Sequence, residues 1–163
     1  MDNDKWDKRF LELAAFVAQW SKDRSTKVGA VVVGPDREVR SLGYNGFPRG
    51  VNDDIEERHE RPAKYWFTEH AERNAIYNAG QFGASLKGCT LYCTHPPCVD
   101  CARGIIQSRI TRVIVPQPPD EMVDRWGDNL RCAATLLVEG GCWFQQGTTI
   151  WWKRPHERKW LIP

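Results

Sequence analysis

Two short motifs hold the residues in this sequence that could do chemistry. The first is an HAE triplet that contains His70 and Glu72, and the second is a PCVDC run that contains Cys98 and Cys101. One imidazole and two thiolates leave the fourth tetrahedral position of a Zn²⁺ ion open to water, whereas structural zinc sites close with four protein ligands. Zinc lowers the pKa of such a water towards neutrality. The pattern predicts a hydrolytic site in which His70, Cys98 and Cys101 bind zinc and Glu72 moves protons.

Other interpretations of these residues stay open at this point. A Cys-x-x-Cys redox pair also occurs where a strand meets a helix, but that hypothesis leaves His70 and Glu72 without a role. A closed structural zinc site needs a fourth ligand, and His95 is the nearest candidate. We interpret His95 instead as a pocket wall or a loop residue. Zinc proteases commonly carry two histidines one helical turn apart, as in H-E-x-x-H, and this motif is absent from the sequence.

The elements that position the motifs are predicted from hydrophobic periodicity and from turn residues. Strands are predicted where β-branched and aromatic residues form short runs: 27–33, 38–44, 88–94, 112–115, and final strand material at 142–144 and 148–152. Helices are predicted at 3–22, about 69–79, about 99–109 and 128–139. Between the second strand and the second helix lies a polar loop that is too long for a plain connection, which indicates a functional role.

This order of elements predicts an α/β fold. The first two strands form a hairpin, and the third and fourth strands flank a helix, so they are expected to be parallel. We therefore expect a three-layer α/β/α architecture with a mixed five-stranded sheet and helices on both faces. Two helices then start at one end of the sheet, where the histidine and the cysteines can meet one metal ion. The N-terminus of the helix at 99–109 also favours the thiolate form of these cysteines.

Composition bounds the class of protein. The 163 residues are 41% hydrophobic and 27% charged, which predicts one globular domain spanning 1–163. No apolar run approaches the roughly 20 residues of a membrane span, and the first residues do not resemble a signal peptide. A net charge of +2 argues against a long nucleic-acid track. The other four cysteines are predicted to be buried free thiols, which indicates a reducing, cytoplasmic location: Cys89, Cys93, Cys132 and Cys142.

Four sequence blocks together resemble the deoxycytidylate deaminase family: STKVGAV at 25–31, GYNGFPRG at 43–50, HAERNAI at 70–76 and PCVDC at 97–101. The H-x-E and P-C-x-x-C halves are also typical of zinc-dependent nucleobase deaminases in general. The resemblance implies a cytidine-deaminase-like fold and hydrolytic conversion of dCMP to dUMP, the precursor for thymidylate synthesis. It also implies a homohexamer that dCTP activates and dTTP inhibits, with Mg²⁺ accompanying the triphosphate.

The resemblance carries roles to individual residues. It implies that His70, Cys98 and Cys101 are the zinc ligands and that Glu72 is the proton shuttle. In this chemistry hydroxide attacks C4 of the cytosine ring while Glu72 protonates N3, and the same carboxylate then helps ammonia leave. The resemblance further implies that Asn45 contacts the sugar or the base of the substrate.

A 5′-phosphate requires cationic side chains, and arginine offers a bidentate fork for it. Lys22, Arg24 and Lys27 precede the first strand, and Arg49 lies in the glycine-containing loop. We predict that these residues contribute to phosphate binding, with Arg24 slightly favoured. The alternative is that each belongs to a solvated charged edge.

Several rival functions remain at this stage. The same chemistry could act on dCTP, on deoxycytidine or on C5-modified dCMP. A polynucleotide cytosine or adenine deaminase would show steep salt dependence of binding, and a catalytically silent zinc-binding regulator would release no ammonia. The basic run at 153–160 is consistent with a nucleic-acid tail or with a solvated tail or subunit contact. The tryptophans at 151, 152 and 160 favour the subunit contact.

Overall fold

The computed structural model describes residues 3–147 and 149–151. Its sheet contains β1 (Gly29–Val33), β2 (Val39–Tyr44), β3 (Thr90–Cys93), β4 (Arg112–Val115), β5 (Trp143–Gln146) and β6 (Thr149–Trp151). Its helices are α1 (Asn3–Ala18), α2 (Lys64–Phe67), α3 (Ala71–Gln81), α4 (Val99–Gln107) and α5 (Asp120–Glu139). The basic run at 153–160 and the tryptophans at 152 and 160 lie outside the described residues.

The strand order is β2-β1-β3-β4-β5-β6. β1 pairs antiparallel with both β2 and β3, whereas β3, β4 and β5 run parallel to one another. This arrangement confirms the predicted hairpin, the parallel pairing of the third and fourth strands and the mixed five-stranded sheet. The short strand β6 pairs antiparallel with β5 and extends the sheet by one strand at its edge.

Helices cover both faces of the sheet, which confirms the predicted three layers. All five residues of β1 are buried, because alternate side chains of a strand enter opposite cores. Val31 and Val33 pack in the cluster that contains the apolar face of α1. Ala30 and Val32 pack in the larger cluster, to which α3, α4 and α5 contribute.

Two glycines in the sheet allow helices α1 and α3 to lie close to it. A Cβ atom on Gly29 would lie 2.1 Å from the carbonyl oxygen of Ala14 in α1. A Cβ atom on Gly43 would lie 2.3 Å from the carbonyl oxygen of Ala71 in α3. Any side chain at Gly43 would therefore displace the start of α3, the helix that follows His70.

A buried polar network connects α1 with the centre of the sheet. The carboxylate of Asp7 accepts a 2.7 Å hydrogen bond from the hydroxyl of Tyr92 and bonds of 2.8 and 2.5 Å from the guanidinium of Arg112. Burial, and then the hydrogen bond to Asp7, raise the pKa of Tyr92. Each buried polar group of the network thus has a partner, as a charge in a core requires.

The predicted helix bounds need three corrections. α1 ends at Ala18 and not at residue 22, because residues 19–21 donate to carbonyls three positions back and form a tighter turn. α5 starts eight residues before the predicted position, directly after Pro119. The polar loop at 45–68 contains a 3-10 turn, Glu56–Arg58, and the short helix α2.

The cysteine prediction is confirmed in part. All six cysteines are free, and Cys89, Cys93 and Cys142 are buried. Cys132 is exposed on α5, so the prediction that it is buried was wrong. In the described part of the chain, no helix combines the length and the apolar character needed to cross a bilayer.

Candidate active site

The starts of two helices place the predicted metal ligands. His70 is the N-cap residue of α3, Cys98 is the N-cap residue of α4, and Cys101 lies in the first turn of α4. N-cap side chains commonly accept a hydrogen bond from their own helix, but neither His70 nor Cys98 makes such a bond. Both side chains therefore point to a shared position and not back onto their own backbone.

The three side chains have the spacing of a tetrahedral zinc site. The Nδ1 atom of His70 lies 3.5 Å from the Sγ atom of Cys98 and 3.5 Å from the Sγ atom of Cys101. Zn–N bonds of about 2.1 Å and Zn–S bonds of about 2.3 Å at tetrahedral angles would separate nitrogen and sulfur by about 3.6 Å. The donor set therefore fits a zinc ion. Among the described residues, this is the one group with such spacing.

His95 is not a member of this group. Its Nδ1 atom lies 3.2 Å from the hydroxyl of Thr94, and the residue lines the cavity beside the three ligands. Burial lowers the pKa of its imidazole. This position agrees with the interpretation of His95 as a pocket wall and gives no support to a closed four-ligand site.

The two cysteines are electrostatically different. The hydrogen bond from the thiol of Cys101, together with the hydrogen bond and charge of His70, outweighs burial and lowers the pKa of Cys98 to about 3. The same hydrogen bond, together with burial, raises the pKa of Cys101. His70 in turn has a raised pKa, chiefly because of its hydrogen bond to Cys98. Metal binding at this cluster must therefore release the proton of Cys101.

Glu72 is buried in the first turn of α3, with 3% of its surface exposed. Burial raises the pKa of its carboxyl group, and the positive charge of His70 opposes this effect. A carboxyl group whose pKa moves towards neutrality can both give and take a proton near pH 7. Its position beside the cluster agrees with a proton-transfer role.

A cavity of about 530 Å³ opens in front of the cluster. His70, Glu72 and Cys98 lie in its wall, and Cys101 is fully buried behind it. The remaining wall comes from His95 and Pro96 after β3, from the segment before β1, from the loop that contains α2, and from the first half of α5. Regions that are far apart in sequence thus build the cavity around the cluster.

Asn45, for which the resemblance implies contact with the sugar or the base, lines this cavity with 6% of its surface exposed. Its side-chain oxygen accepts a 2.8 Å hydrogen bond from the N–H of Val28, and its amide nitrogen donates to the carbonyl of Thr26 at 2.9 Å. Asn45 therefore also fixes the segment that leads into β1. A carbonyl lone pair and one N–H remain for a ligand.

The predicted phosphate-binding cations separate into two groups. Lys27 lines the cavity, whereas Lys22, Arg24 and Arg49 are not among its lining residues. Lys22 pairs with Asp53 at 2.7 Å, the guanidinium of Arg24 pairs with the carboxylate of Glu56, and Arg49 donates to the side chain of Asn78 at 2.6 Å. The structure thus places the favoured Arg24 in a solvated ion pair.

Other cations in the cavity wall were missed by the sequence analysis. Arg61 comes from the polar loop, whose unusual length was the signal available for it, and Arg125 comes from α5, where no motif indicated a site. Lys64 also lines the cavity, but it is buried and already has polar partners. Its ammonium lies 2.8 Å from the carboxylate of Asp23 and 2.6 Å from the hydroxyl of Ser25. Burial would raise the pKa of Asp23, but hydrogen bonds from Lys64 and from two backbone N–H groups outweigh it and lower the pKa.

The aromatic residues of the wall were also missed. Tyr65 in α2 and Trp126 in α5 both line the cavity, and their rings meet edge to face with centroids 5.9 Å apart. The two rings connect the polar loop with α5 across the site. Asn129, one turn after Trp126, lies in the wall as well.

A hydrolytic metal site of this composition, on a mixed sheet between helical layers, defines the class of zinc-dependent deaminases. Residues 4–117 match the family model of the cytidine and deoxycytidylate deaminase zinc-binding region, and the chain belongs to this family. The match covers all three candidate ligands and Glu72. It ends before α5.

Several relatives are similar over most of the chain. An uncharacterized deaminase in the luxG 3′ region of Aliivibrio fischeri is 42% identical over 84% of this chain and 90% of its own. A probable deoxycytidylate deaminase of Caenorhabditis elegans is 40% identical, with 83% of this chain and 69% of its own covered. The deoxycytidylate deaminase of Homo sapiens is 34% identical, with coverage of 82% and 74%.

A crystal structure of similar fold carries nucleotides. It is the dCMP deaminase of the cyanophage S-TIM5 in complex with dCMP and dUMP, with a TM-score of 0.70 and 27% identity over 87% of this chain and 96% of that one. The apo form of that protein has a TM-score of 0.69. The chain is thus a hydrolytic deaminase by family and by fold.

Proposed function

We propose that this chain converts dCMP and water to dUMP and ammonia in a zinc-dependent reaction. The observation that carries the proposal is the cluster of His70, Cys98 and Cys101 beside the buried Glu72, open to a cavity of about 530 Å³. Relatives named as deoxycytidylate deaminases, and the S-TIM5 complex with dCMP and dUMP, support the choice of substrate.

In this proposal the chain's own residues have distinct tasks. His70, Cys98 and Cys101 hold the metal, which when bound supplies a Lewis acid that makes hydroxide available near neutral pH. Glu72 takes one proton from the attacking water and gives it to N3 of the cytosine ring as C4 becomes tetrahedral. It then takes the proton of the new C4 hydroxyl and gives it to the amino group, so that ammonia leaves and the C4 carbonyl of dUMP forms. Burial keeps the Glu72 carboxyl group in a water-poor environment, where each proton that it transfers goes to the substrate.

The substrate phosphate needs cations that face the cavity and are not already paired. Arg61 and Arg125 meet both conditions, because each lines the cavity and, among the described residues, neither has an ion-pair partner. Lys27 also lines the cavity, but its ammonium already donates a 3.4 Å hydrogen bond to the carbonyl of Gln19. We assign phosphate binding to Arg61 and Arg125, with Lys27 as an additional contact. The other predicted cations are assigned to the solvated edge of the protein: Lys22, Arg24 and Arg49.

The sugar and the base are proposed to lie between the metal cluster and the aromatic pair of Tyr65 and Trp126. Asn45 would contact the sugar or the base with its remaining lone pair and N–H. Aromatic faces stack on bases with little sequence preference, so this pair would add affinity, while Glu72 selects the cytosine amidine.

The resemblance to deoxycytidylate deaminases also suggests finer properties. We propose a single deaminase domain over 1–163, a homohexamer, activation by dCTP and inhibition by dTTP with Mg²⁺, and a cytoplasmic location in which dUMP feeds thymidylate synthesis. Exposed aromatic side chains are compatible with subunit contacts: Phe16, Trp20, Trp66 and Phe82.

A chromatographic assay on a substrate panel tests the proposed activity. We expect purified protein to release ammonia from dCMP with a higher kcat/KM than from deoxycytidine, dCTP or C5-modified dCMP. Preference for one of those three would keep the chemistry and change the substrate. Turnover of single-stranded DNA or tRNA, with no turnover of any mononucleotide, would contradict the proposal.

A further inference from the structure

The N-terminus of α4 lacks the cap that a helix of its kind normally has. Cys98 occupies the N-cap position, with φ −74° and ψ 173°, where Ser, Thr, Asp or Asn usually accepts a hydrogen bond from the first turn. The Sγ atom of Cys98 is instead turned to His70, and it makes no cap bond. The role of metal ligand and the role of helix cap compete for the same side chain.

A residue from another helix accepts a hydrogen bond from one N–H group of this N-terminus. The side-chain oxygen of Asn129 in α5 accepts a 3.0 Å hydrogen bond from the N–H of Val99, the residue that follows Cys98. Asn129 lies 30 positions later in the chain, beyond residue 117, where the family match ends. The contact therefore connects α5, which lies outside the family match, with the metal-binding motif.

This hydrogen bond acts on the geometry of the ligand. The Val99 nitrogen belongs to the peptide plane that joins Cys98 to Val99, and a peptide plane is rigid. A hydrogen bond that holds the Val99 N–H therefore restrains ψ of Cys98, the rotation that sets where Cβ and Sγ of Cys98 lie relative to this peptide plane. Partners of this outer kind commonly change metal affinity or activity by about 10- to 100-fold when they are removed.

We propose that Asn129 is a positioning residue of the metal site, which holds Cys98 in its ligating orientation by accepting the hydrogen bond of Val99. The assignment rests on the zinc-dependent function proposed above. It requires an acceptor oxygen at position 129, and it does not require Asn129 to touch the substrate.

Metal retention tests the assignment without using turnover. The zinc-loaded protein is mixed with a chromophoric chelator, and transfer of zinc is followed by absorbance. We expect Asn129→Ala to lose zinc about tenfold faster than the wild type. In the Co²⁺-substituted protein, we expect its sulfur-to-cobalt absorption bands to shift, because one ligand changes orientation.

Two further variants serve as controls. Asn129→Asp keeps an acceptor oxygen and should retain the zinc release rate and the cobalt spectrum of the wild type. Because it also places a negative charge in the cavity wall, its KM for dCMP should rise, so turnover is not the readout. Asp128→Ala removes an exposed ion pair with Arg131 on the same helix and should behave as the wild type.

Each outcome decides one point. Unchanged zinc release and an unchanged cobalt spectrum in Asn129→Ala would overturn the assignment and leave the proposed function intact. If Asn129→Ala does not fold, the test uses Asn129→Asp. The assignment would then be overturned if Asn129→Asp lost zinc as fast as a Cys98→Ser variant. Failure of the wild type to bind zinc at all would overturn the proposed function and the assignment together.

Discussion

Glu72 lies beside the three candidate metal ligands and differs from the other glutamate of the cavity wall in its burial. It is almost fully buried, and burial raises the pKa of its carboxyl group while His70 opposes that effect. Glu121 is a useful contrast, because it lines the same cavity from an exposed position on α5. This difference in burial is why we propose Glu72, and not Glu121, as the group that transfers protons.

Glu72→Gln should therefore abolish most turnover while the metal stays bound. The amide has the same shape but cannot transfer a proton, and general acid–base catalysis typically contributes about 10²- to 10⁴-fold. We expect kcat for dCMP to fall within this range, with zinc content unchanged by elemental analysis. Glu121→Gln is the matched control and should leave kcat near that of the wild type. Full turnover by zinc-loaded Glu72→Gln would show that another group moves the protons.

The phosphate assignment is tested by the pair Arg125→Ala and Arg24→Ala. A hydrogen bond to a charged group contributes about 1.5–3 kcal/mol, so loss of Arg125 should raise KM for dCMP by about 10- to 100-fold and change KM for deoxycytidine little. Arg24 belongs to an exposed ion pair with Glu56 and is not among the residues that line the cavity. Arg24→Ala should therefore change neither constant much.

Steady-state kinetics on both substrates separates these cases. If Arg24→Ala raises KM for dCMP more than Arg125→Ala does, the phosphate binds near Arg24, in the segment before β1, and our assignment is wrong. Equal effects of Arg125→Ala on dCMP and deoxycytidine would remove Arg125 from the phosphate site.

At the scale of elements, the site depends on where helices start. His70 and Cys98 both occupy N-cap positions, so the metal site and the first turns of α3 and α4 are built by the same residues. Gly43 allows α3 to lie close to β2, and Asn129 of α5 bonds to the first turn of α4. Behind the sheet, the network of Asp7, Tyr92 and Arg112 ties α1 to β3 and β4.

This network predicts how stability depends on pH. Because the pKa of Tyr92 is raised in the folded protein, folded Tyr92 keeps its proton above about pH 10, where an unfolded tyrosine ionises. Its contribution to stability is therefore complete below about pH 10 and is lost as the pH rises further. Tyr92→Phe loses a hydrogen bond to a carboxylate, which contributes about 1.5–3 kcal/mol at neutral pH, but phenylalanine cannot ionise.

We expect the difference in unfolding free energy between the wild type and Tyr92→Phe to shrink as the pH rises from 8 to 11. Urea unfolding at several pH values measures this difference, and other titrating groups cancel between the two proteins. Phe10→Leu, a substitution in the same core cluster, should show a difference that does not change with pH. A constant difference for Tyr92→Phe would mean that Tyr92 ionises equally in both states.

At the scale of the whole molecule, local patterns predicted the order of elements and the metal cluster. The HAE and PCVDC motifs could be interpreted because the candidate ligands lie within a few residues of one another in each motif. The strands could be predicted because they are short runs of β-branched residues. The start of α5 was not visible, because Pro116, Pro118 and Pro119 indicate a break. Pro119 is in fact the N-cap residue, and Asp120 and Glu121 favour the first turn.

The rest of the cavity wall could not be predicted for a different reason. Arg61, Tyr65, Arg125 and Trp126 reach the cavity only because the polar loop and α5 fold over the metal cluster. Arg24 and Lys22 lie close in sequence to β1 but point into ion pairs with the polar loop. Residues that reach the cavity through tertiary placement carry no spacing signal, so Asn45 and Lys27 could be named from the sequence and these four wall residues could not.

The most direct test of the account is a metal removal and reconstitution experiment on the purified protein, with dCMP as substrate. We predict one zinc ion per chain by elemental analysis, loss of dCMP deamination when a chelator removes the metal, and recovery when Zn²⁺ is returned. We also predict that Cys98→Ala and Cys101→Ala variants fail to recover. Full deamination by the metal-free protein, or zinc bound equally well after both cysteines are replaced, would contradict the account.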